Sequence, residues 1–221
     1  MITLALDAST YTGSVALLDH SGVLAERRVA MKGAEHERLM PAVADCLSDA
    51  GVSVDRIGRI VCGEGPGSFT SLRIAGSIAK GLATGLSRPL YAVPSMALIV
   101  GNAPVGPGTY LVAVDALRGE LYVGLYDVTD SHAIEEREPA RLVEAGALVQ
   151  LAVDYDARIL GAPGLEAPIE ASPSARSVAR LETLLGVRGP VDVASWEPAY
   201  GRLAEAQVKW EAAHGRPLRV S

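Results

Sequence analysis

The chain begins with an apolar run at residues 2–6 (ITLAL), stops at Asp7, and resumes after the turn STYTG with SVALLD at 14–19. A Ser-Gly turn then leads into VLAERRVA at 23–30. Three short apolar runs joined by tight turns predict an antiparallel meander. From residue 34 the period changes. Leu39, Met40, Val43, Ala44, Leu47 and Ala50 fall at helical spacing over 34–50, and Gly51 is placed to stop that helix. IGRIVCGEG reads as a buried strand, residues 68–86 as a second helix with Ser68 or Thr70 at its N-cap, and PLYAV (89–93) as a further strand. The Gly- and Pro-rich stretch GNAPVGPGT (101–109) marks an internal boundary, dividing the chain into 1–102 and 103–221. Beyond it, TYLVAVD and ELYVGLYDV predict paired strands. Residues 141–154 and 174–186 carry helical spacing, with ARILG as a short strand between them. The ending WEPAYGRLAEAQVKWEAAHGRPL is expected to pack back on the body.

The two parts share a pattern. LALDASTYTGSVALLD (4–19) written above VAVDALRGELYVGLYD (112–127) places Asp7 over Asp115, Ala8 over Ala116, Val15 over Val123, Leu17 over Leu125 and Asp19 over Asp127, without a gap. Each copy is strand, Asp, turn, strand. This predicts two similar α/β lobes, each starting with an Asp-bearing hairpin.

Composition narrows the chemistry. The 221 residues suffice for one large or two small domains, and with aromatics at 5% the core must be aliphatic. The net charge of −6, with basic residues gathered only in a Glu-diluted tail (Lys209, His214, Arg216, Arg219), argues against tight RNA binding by the chain alone. Cys46 and Cys62 belong to no CxxC or Cys/His cluster and are expected as core thiols in a reducing compartment. MITLALD lacks a basic leader, and no apolar run is long enough to span a bilayer, so a cytoplasmic protein is expected.

The chemical motifs are mostly incomplete. GEGPGSFTSLRIAG (63–76) sits between strand and helix, where glycine-rich turns cradle phosphate. No Gly-Lys pair follows it, Ser68 replaces the third glycine of a dinucleotide turn, and the nucleophile-elbow spacing fails. A tight turn that packs a helix against a strand is the favoured reading. His36-Glu37 begins a zincin-like pattern, but Met40 stands where the second histidine is needed. Asp7 could orient Mg²⁺ or water beside a nucleotide, with Ser9 or Thr10 touching phosphate; capping a turn is the alternative. In helix 68–86, Ser71, Ala75 and Ala79 recur every four residues among Leu72, Ile74, Ile78 and Leu82, with Arg73 and Lys80 the only charges. A helix apolar on nearly all sides needs cover on two faces. The first helix or a partner protein supplies the second.

GPGSFTSLRIA, the start LALDAST, the segment DALRGELY and the ending EPAYGRLAEAQVKW resemble the TsaB family of tRNA threonylcarbamoyladenosine biosynthesis proteins over essentially the whole chain. Ser71 stands where the family usually has Gly, and Gly201 where Leu is common. The resemblance implies an α/β fold: the duplicated two-lobe ASKHA architecture of sugar kinases, Hsp70 and actin, related to RNase H. It implies a noncatalytic subunit that holds no tight cofactor or metal of its own. ATP and metal are expected at the partners, a TsaD-like catalytic subunit and a TsaE-like ATPase. It further implies homodimers when alone, tRNA contact only through the complex, no membrane, and pairing through the two N-lobe helices. The expected contact residues are His36, Met40, Val43, Leu47, Ser71, Ile74, Ala75, Ile78 and Leu82. Replacing Ala75 or Ala79 by a large charged residue would then break pairing while leaving the monomer folded. An ATP-dependent phosphotransferase and a glycoprotease-like metallopeptidase of the same superfamily are the enzyme alternatives.

Overall fold

The computed structural model describes residues 1–32 and 36–201. Strands β1 (Ile2–Asp7), β2 (Thr12–Asp19) and β3 (Gly22–Ala30) form the expected meander, and β4 (Ile57–Gly63) and β5 (Leu90–Val93) extend it in parallel. The first sheet has the order β3-β2-β1-β4-β5. Helices α1 (Leu39–Ala50) and α2 (Phe69–Leu86) cover its outer face.

Local chemistry sets the helix ends. The Glu37 carboxylate accepts the Leu39 and Met40 N–H groups, and Pro41 lies in the first turn, where a missing N–H is harmless. The first helix therefore begins at Leu39; residues 36–38 are outside it and 33–35 lie outside the described residues. Gly51, with φ of 61°, closes α1 while Val52 N–H reaches the Leu47 carbonyl. At α2, Ser68 holds the cap position, but its hydroxyl meets Ser71 Oγ at 3.1 Å instead of a backbone N–H.

The second sheet is built from β6 (Gly108–Asp115), β7 (Glu120–Val128), β8 (Ile134–Glu144), β9 (Arg158–Gly161) and β10 (Ile169–Glu170). Its order, β10-β9-β6-β7-β8, is the first sheet's order again, with the same parallel and antiparallel pairings. The duplication is real, but its register differs by one residue. Residues 8–13 separate the paired Asp7 and Ser14, whereas residues 116–120, one fewer, separate Asp115 and Leu121. Val15 opposes Leu6, and Val123 opposes Ala113. Val15 and Val123 thus correspond, and the counterpart of Asp7 is Val114, not Asp115. A slip of one residue moves a side chain to the other face of a sheet, and Asp115 accordingly lies exposed.

Three expectations change. Residues 141–144 belong to β8, and helix α4 covers only Leu148–Asp154. The strand was hidden because Glu136 and Glu138 occupy its half-buried positions, where Glu136 meets Arg188 and Glu138 accepts a bond from Tyr155. The stretch 174–186 is a 3-10 turn at Ala175–Arg180 followed by α5 (Glu182–Arg188). Helix α3 (Ser95–Asn102) is buried from Ser95 to Val100, so it shows no amphipathic period to read.

The inner faces of both sheets meet in one core. Ala5, Ala16, Leu18 and Val61 from the first sheet join Tyr110, Val112, Tyr122 and Tyr126 from the second, with α3 and α5 between. Polar links tie the same seam. Arg188 bonds Glu64 (2.6 Å) in the loop after β4 and Glu136 (2.9 Å) on β8, and Arg59 pairs with Glu182. The chain then returns to the first sheet: Val191 N–H reaches the Leu90 carbonyl at 2.8 Å, and Trp196 packs on the core under α2. The expected docking of the C-terminal segment holds to residue 201; the rest lies outside the described residues. Among the described residues, no helix is long and apolar enough to cross a membrane.

Replacing Arg188 with Leu leaves two half-buried carboxylates facing each other. A loss of about 2 kcal/mol is expected, seen as a Tm lower by roughly 4–8 °C, and calorimetry of the purified chain checks it.

Candidate functional site

The end of β1 meets the glycine-rich loop after β4 at Asp7. Its carboxylate is fully buried. Oδ1 accepts the Ser9 N–H (3.1 Å) and hydroxyl (2.9 Å), and Oδ2 accepts the Ser95 hydroxyl at 2.5 Å. Ser95 Oγ in turn accepts the Gly65 N–H at 3.0 Å. Burial pushes the Asp7 carboxyl above its usual range, against the opposing pull of the Ser95 and Ser9 hydrogen bonds. Burial also drives the neighbouring Cys62 thiol well up, with Asp7 and Glu64 adding to it. Thr10 turns to its own hairpin, its hydroxyl donating to the Thr12 carbonyl at 3.1 Å.

The glycines of GEGPG serve this closure. A methyl group on Gly63 would overlap the Asp7 carboxylate, and one on Gly67 would overlap the Ser9 carbonyl. Ser68 N–H donates to that carbonyl at 2.7 Å. Gly65, with φ of 102°, lies against the Ala199 carbonyl, and Ala199 N–H donates to the Glu64 carbonyl at 2.7 Å. Two loop N–H groups that could face a phosphate, those of Gly65 and Ser68, are thus bonded within the protein's own chain. The turn after β6 does not rebuild the site either: Asp115 accepts the Leu117 N–H at 2.8 Å, and Leu117 and Arg118 are both left-handed. Among the described residues, no group of three His, Cys, Asp or Glu side chains is arranged to hold a metal.

The expected contact residues divide by burial. Val43 and Ala75 have no accessible surface and Ser71 has 4%, so these three are core residues that no docking partner reaches. The same holds for Ala79. A large charged side chain at Ala75 or Ala79 would disrupt the monomer itself, contrary to the sequence expectation. Met40 is 41% exposed, Leu47, Ile74, Ile78 and Leu82 are half-buried, and His36 is exposed ahead of α1. The outer stripe of α2 is Arg73, Ser77, Gly81 and Thr84, all exposed. The helix is thus less completely covered with apolar contacts than its sequence suggests. The pattern did not reveal the Phe69–Tyr200 ring contact, with centroids 4.6 Å apart, or the bond from Lys80 to the Trp196 carbonyl at 2.9 Å. Both depend on the returning segment.

Two lobes of one strand order, joined at their inner faces, with an Asp-bearing hairpin against a strand-to-helix loop, define the duplicated ASKHA-like class of α/β proteins. Residues 29–167 match the family model described as TsaD, tRNA N6-adenosine threonylcarbamoyltransferase. The chain is 31% identical to the tRNA threonylcarbamoyladenosine biosynthesis protein TsaB of Bacillus subtilis, across 95% of this chain and 98% of that protein. It is 37% identical to TsaB of Escherichia coli over 57% of this chain and 55% of that one. The solved structure of YeaZ from Pseudomonas aeruginosa superposes with a TM-score of 0.75 at 29% identity, covering 90% of this chain and 99% of that chain. The chain belongs to this family, among its TsaB proteins.

Two outcomes are expected at the site. Gly63→Ala forces a methyl into the Asp7 carboxylate and should lower stability by about 2 kcal/mol or more in urea unfolding. Asp7→Asn tests the buried acid. Because burial raises the folded-state value, the favourable contribution of the protonated carboxyl is complete below the ordinary carboxylate value of about 3.9. It declines as pH rises through the raised value. Relative to Asp7→Asn, the native chain should therefore lose stability across that window and level off above it.

Proposed function

We propose that the chain is a noncatalytic, activating subunit of tRNA threonylcarbamoyladenosine synthesis in the cytoplasm. It pairs with a TsaD-like subunit that carries the transfer chemistry. A TsaE-like ATPase joins them, the chain pairs with itself when alone, and tRNA is engaged only by the assembly. ATP and metal belong to the partner subunits. Residues 1–102 form the docking lobe and 103–221 the second lobe and tail. The family places the chain in this pathway; the observation that carries the noncatalytic reading is the Asp7 carboxylate, filled on both oxygens by Ser9 and Ser95. A phosphotransferase hairpin needs those atoms for metal-bound water and phosphate.

The accessible row Met40, Leu47, Ile74, Ile78 and Leu82 supplies the pairing face. Gly81 and Gly85 sit beside it, and a Cβ at either would meet open space. Exposed glycines inside a helix lower its stability by about 0.5–1 kcal/mol each relative to Ala. Close approach of a partner backbone is what such positions allow.

Ile78→Arg, at a half-buried position beside the first-lobe core, should lower the melt of the free chain only modestly and leave it folded. It should also weaken binding to the TsaD-like subunit at least ~10-fold, equivalent to about 1.4 kcal/mol, with a matching fall in threonylcarbamoyl transfer to tRNA. Gly81→Ala should stabilise the free chain by about 0.5–1 kcal/mol while weakening pairing. The reading fails if the native chain alone binds Mg-ATP stoichiometrically at micromolar concentration, or if Ile78→Arg pairs and supports transfer as the native chain does.

A further inference from the structure

The second lobe repeats the strands of the first but not its helices. In the first lobe, α2 fills the connection from β4 to β5 and packs on the sheet through Leu72, Ala75, Ala79 and Ala83, all buried. In the second, β9 passes to β10 through residues 162–168 without a helix. Among the described residues, the one helix on the outer face there is the seven-residue α4, whose Ala152 is its one buried side chain, with Leu165 of the β9–β10 connection packed beside it.

The missing cover leaves a groove of about 550 Å³ between α4 and the β9–β10 edge, lined by Val149, Ala152, Val153, Ile159, Pro168 and Ile169. Val149 and Val153 stand one turn apart on α4 and are 67% and 69% exposed. Two valines so placed form an apolar ridge that no other described residue covers. The border of the groove is acidic. Asp156 lines it, and Asp154 and Glu170 lie exposed beside it on α4 and β10. Arg158, the cation among the lining residues, is already engaged: it donates to the Pro107 carbonyl at 2.7 Å and stacks over the Tyr110 ring.

We propose that this groove receives an α2-like helix from a partner protein, one with a stripe of small and aliphatic residues and a net positive charge. The internal repeat argues for the shape, because a helix of that kind covers the corresponding face of the first sheet. The acidic border argues for the charge. The α2 sequence itself has the small and aliphatic stripe and carries only positive charge, at Arg73 and Lys80 within the helix. This surface lies on the second sheet and is separate from the α1–α2 pairing face.

The test is fluorescence anisotropy of a labelled peptide with the sequence of residues 69–86, titrated with the full chain. Saturable binding is expected, weak because an isolated helix of this length is marginal in water, and decreasing with added salt. The double variant Val149→Arg/Val153→Arg, at exposed positions, should melt as the native chain does and bind the peptide at least ~10-fold more weakly. Ile78→Arg, on the first lobe, should leave peptide binding unchanged, so loss of α1–α2 pairing and loss of this site are separately visible. Absence of saturation, equal binding by the double variant, or amide protection away from α4 and β10 would overturn the proposal. So would α4 and β10 amides already protected in the free chain without peptide binding, which would mean that the chain fills its own groove.

Discussion

The arrangement at the end of β1 depends on a carboxylate buried without a cation among the described residues. An ionised group removed from water must be hydrogen-bonded or neutralised. Asp7 is held by three donor contacts from Ser9 and Ser95, and each fixes another element. Ser9 bends the hairpin so that its carbonyl receives Ser68 N–H, setting the start of α2. Ser95 opens α3 and holds the Gly65 N–H. The loop between β4 and α2 can follow this path only with hydrogen atoms in place of side chains at Gly63 and Gly67. One buried carboxyl group thus positions a hairpin, a loop and two helices. The same contacts engage both oxygens of the carboxyl group from within the chain.

The seam between the lobes is equally committed. Domain closure around a ligand requires a hinge and an interface that can part. Here the inner faces share one continuous apolar core, and Arg188 bridges Glu64 and Glu136 across it. Arg176 approaches Glu26 on β3 at 3.4 Å, and Ala175 N–H donates to Ser14 on β2 at 2.9 Å. Parting the lobes would expose tyrosines and strip partners from charged groups at once. The two lobes are held here as one packed body.

The first lobe was largely legible because its strands alternate or run apolar and its helices keep period. The second was harder for definable reasons. Strand β8 carries Glu136 and Glu138 at half-buried positions, because Arg188 pairs with the first and the Tyr155 hydroxyl donates to the second, both from later in the chain. Helix α3 is apolar throughout and shows no face. At the site, the motif residues Asp7, Ser9 and the glycines were all visible, but their mutual satisfaction was not, since Ser95 comes from an unpredicted helix. Burial was misjudged within α2 for a related reason. Ala75 and Ala79 look like a contact stripe in one dimension, and only the position of the sheet shows that they are spent on the monomer's own core.

The one-residue difference between the two hairpins shows how a duplicated fold can lose symmetry in its chemistry while keeping it in its strands. Matching aspartates in the sequence suggested two similar lobes, each starting with an Asp-bearing hairpin. The shorter second turn places Val114 at the inner position and Asp115 outside, while Leu117 and Arg118 take left-handed conformations that bulky residues adopt at a cost. Val114 joins the shared core, and Tyr122 beside it packs against Gly201 of the returning segment. The position that could have completed a second polar site instead contributes to holding the lobes together. The absence of an acid from the inner face of the second hairpin and the enclosure of Asp7 by serines are two separate local differences between lobes that share one strand order.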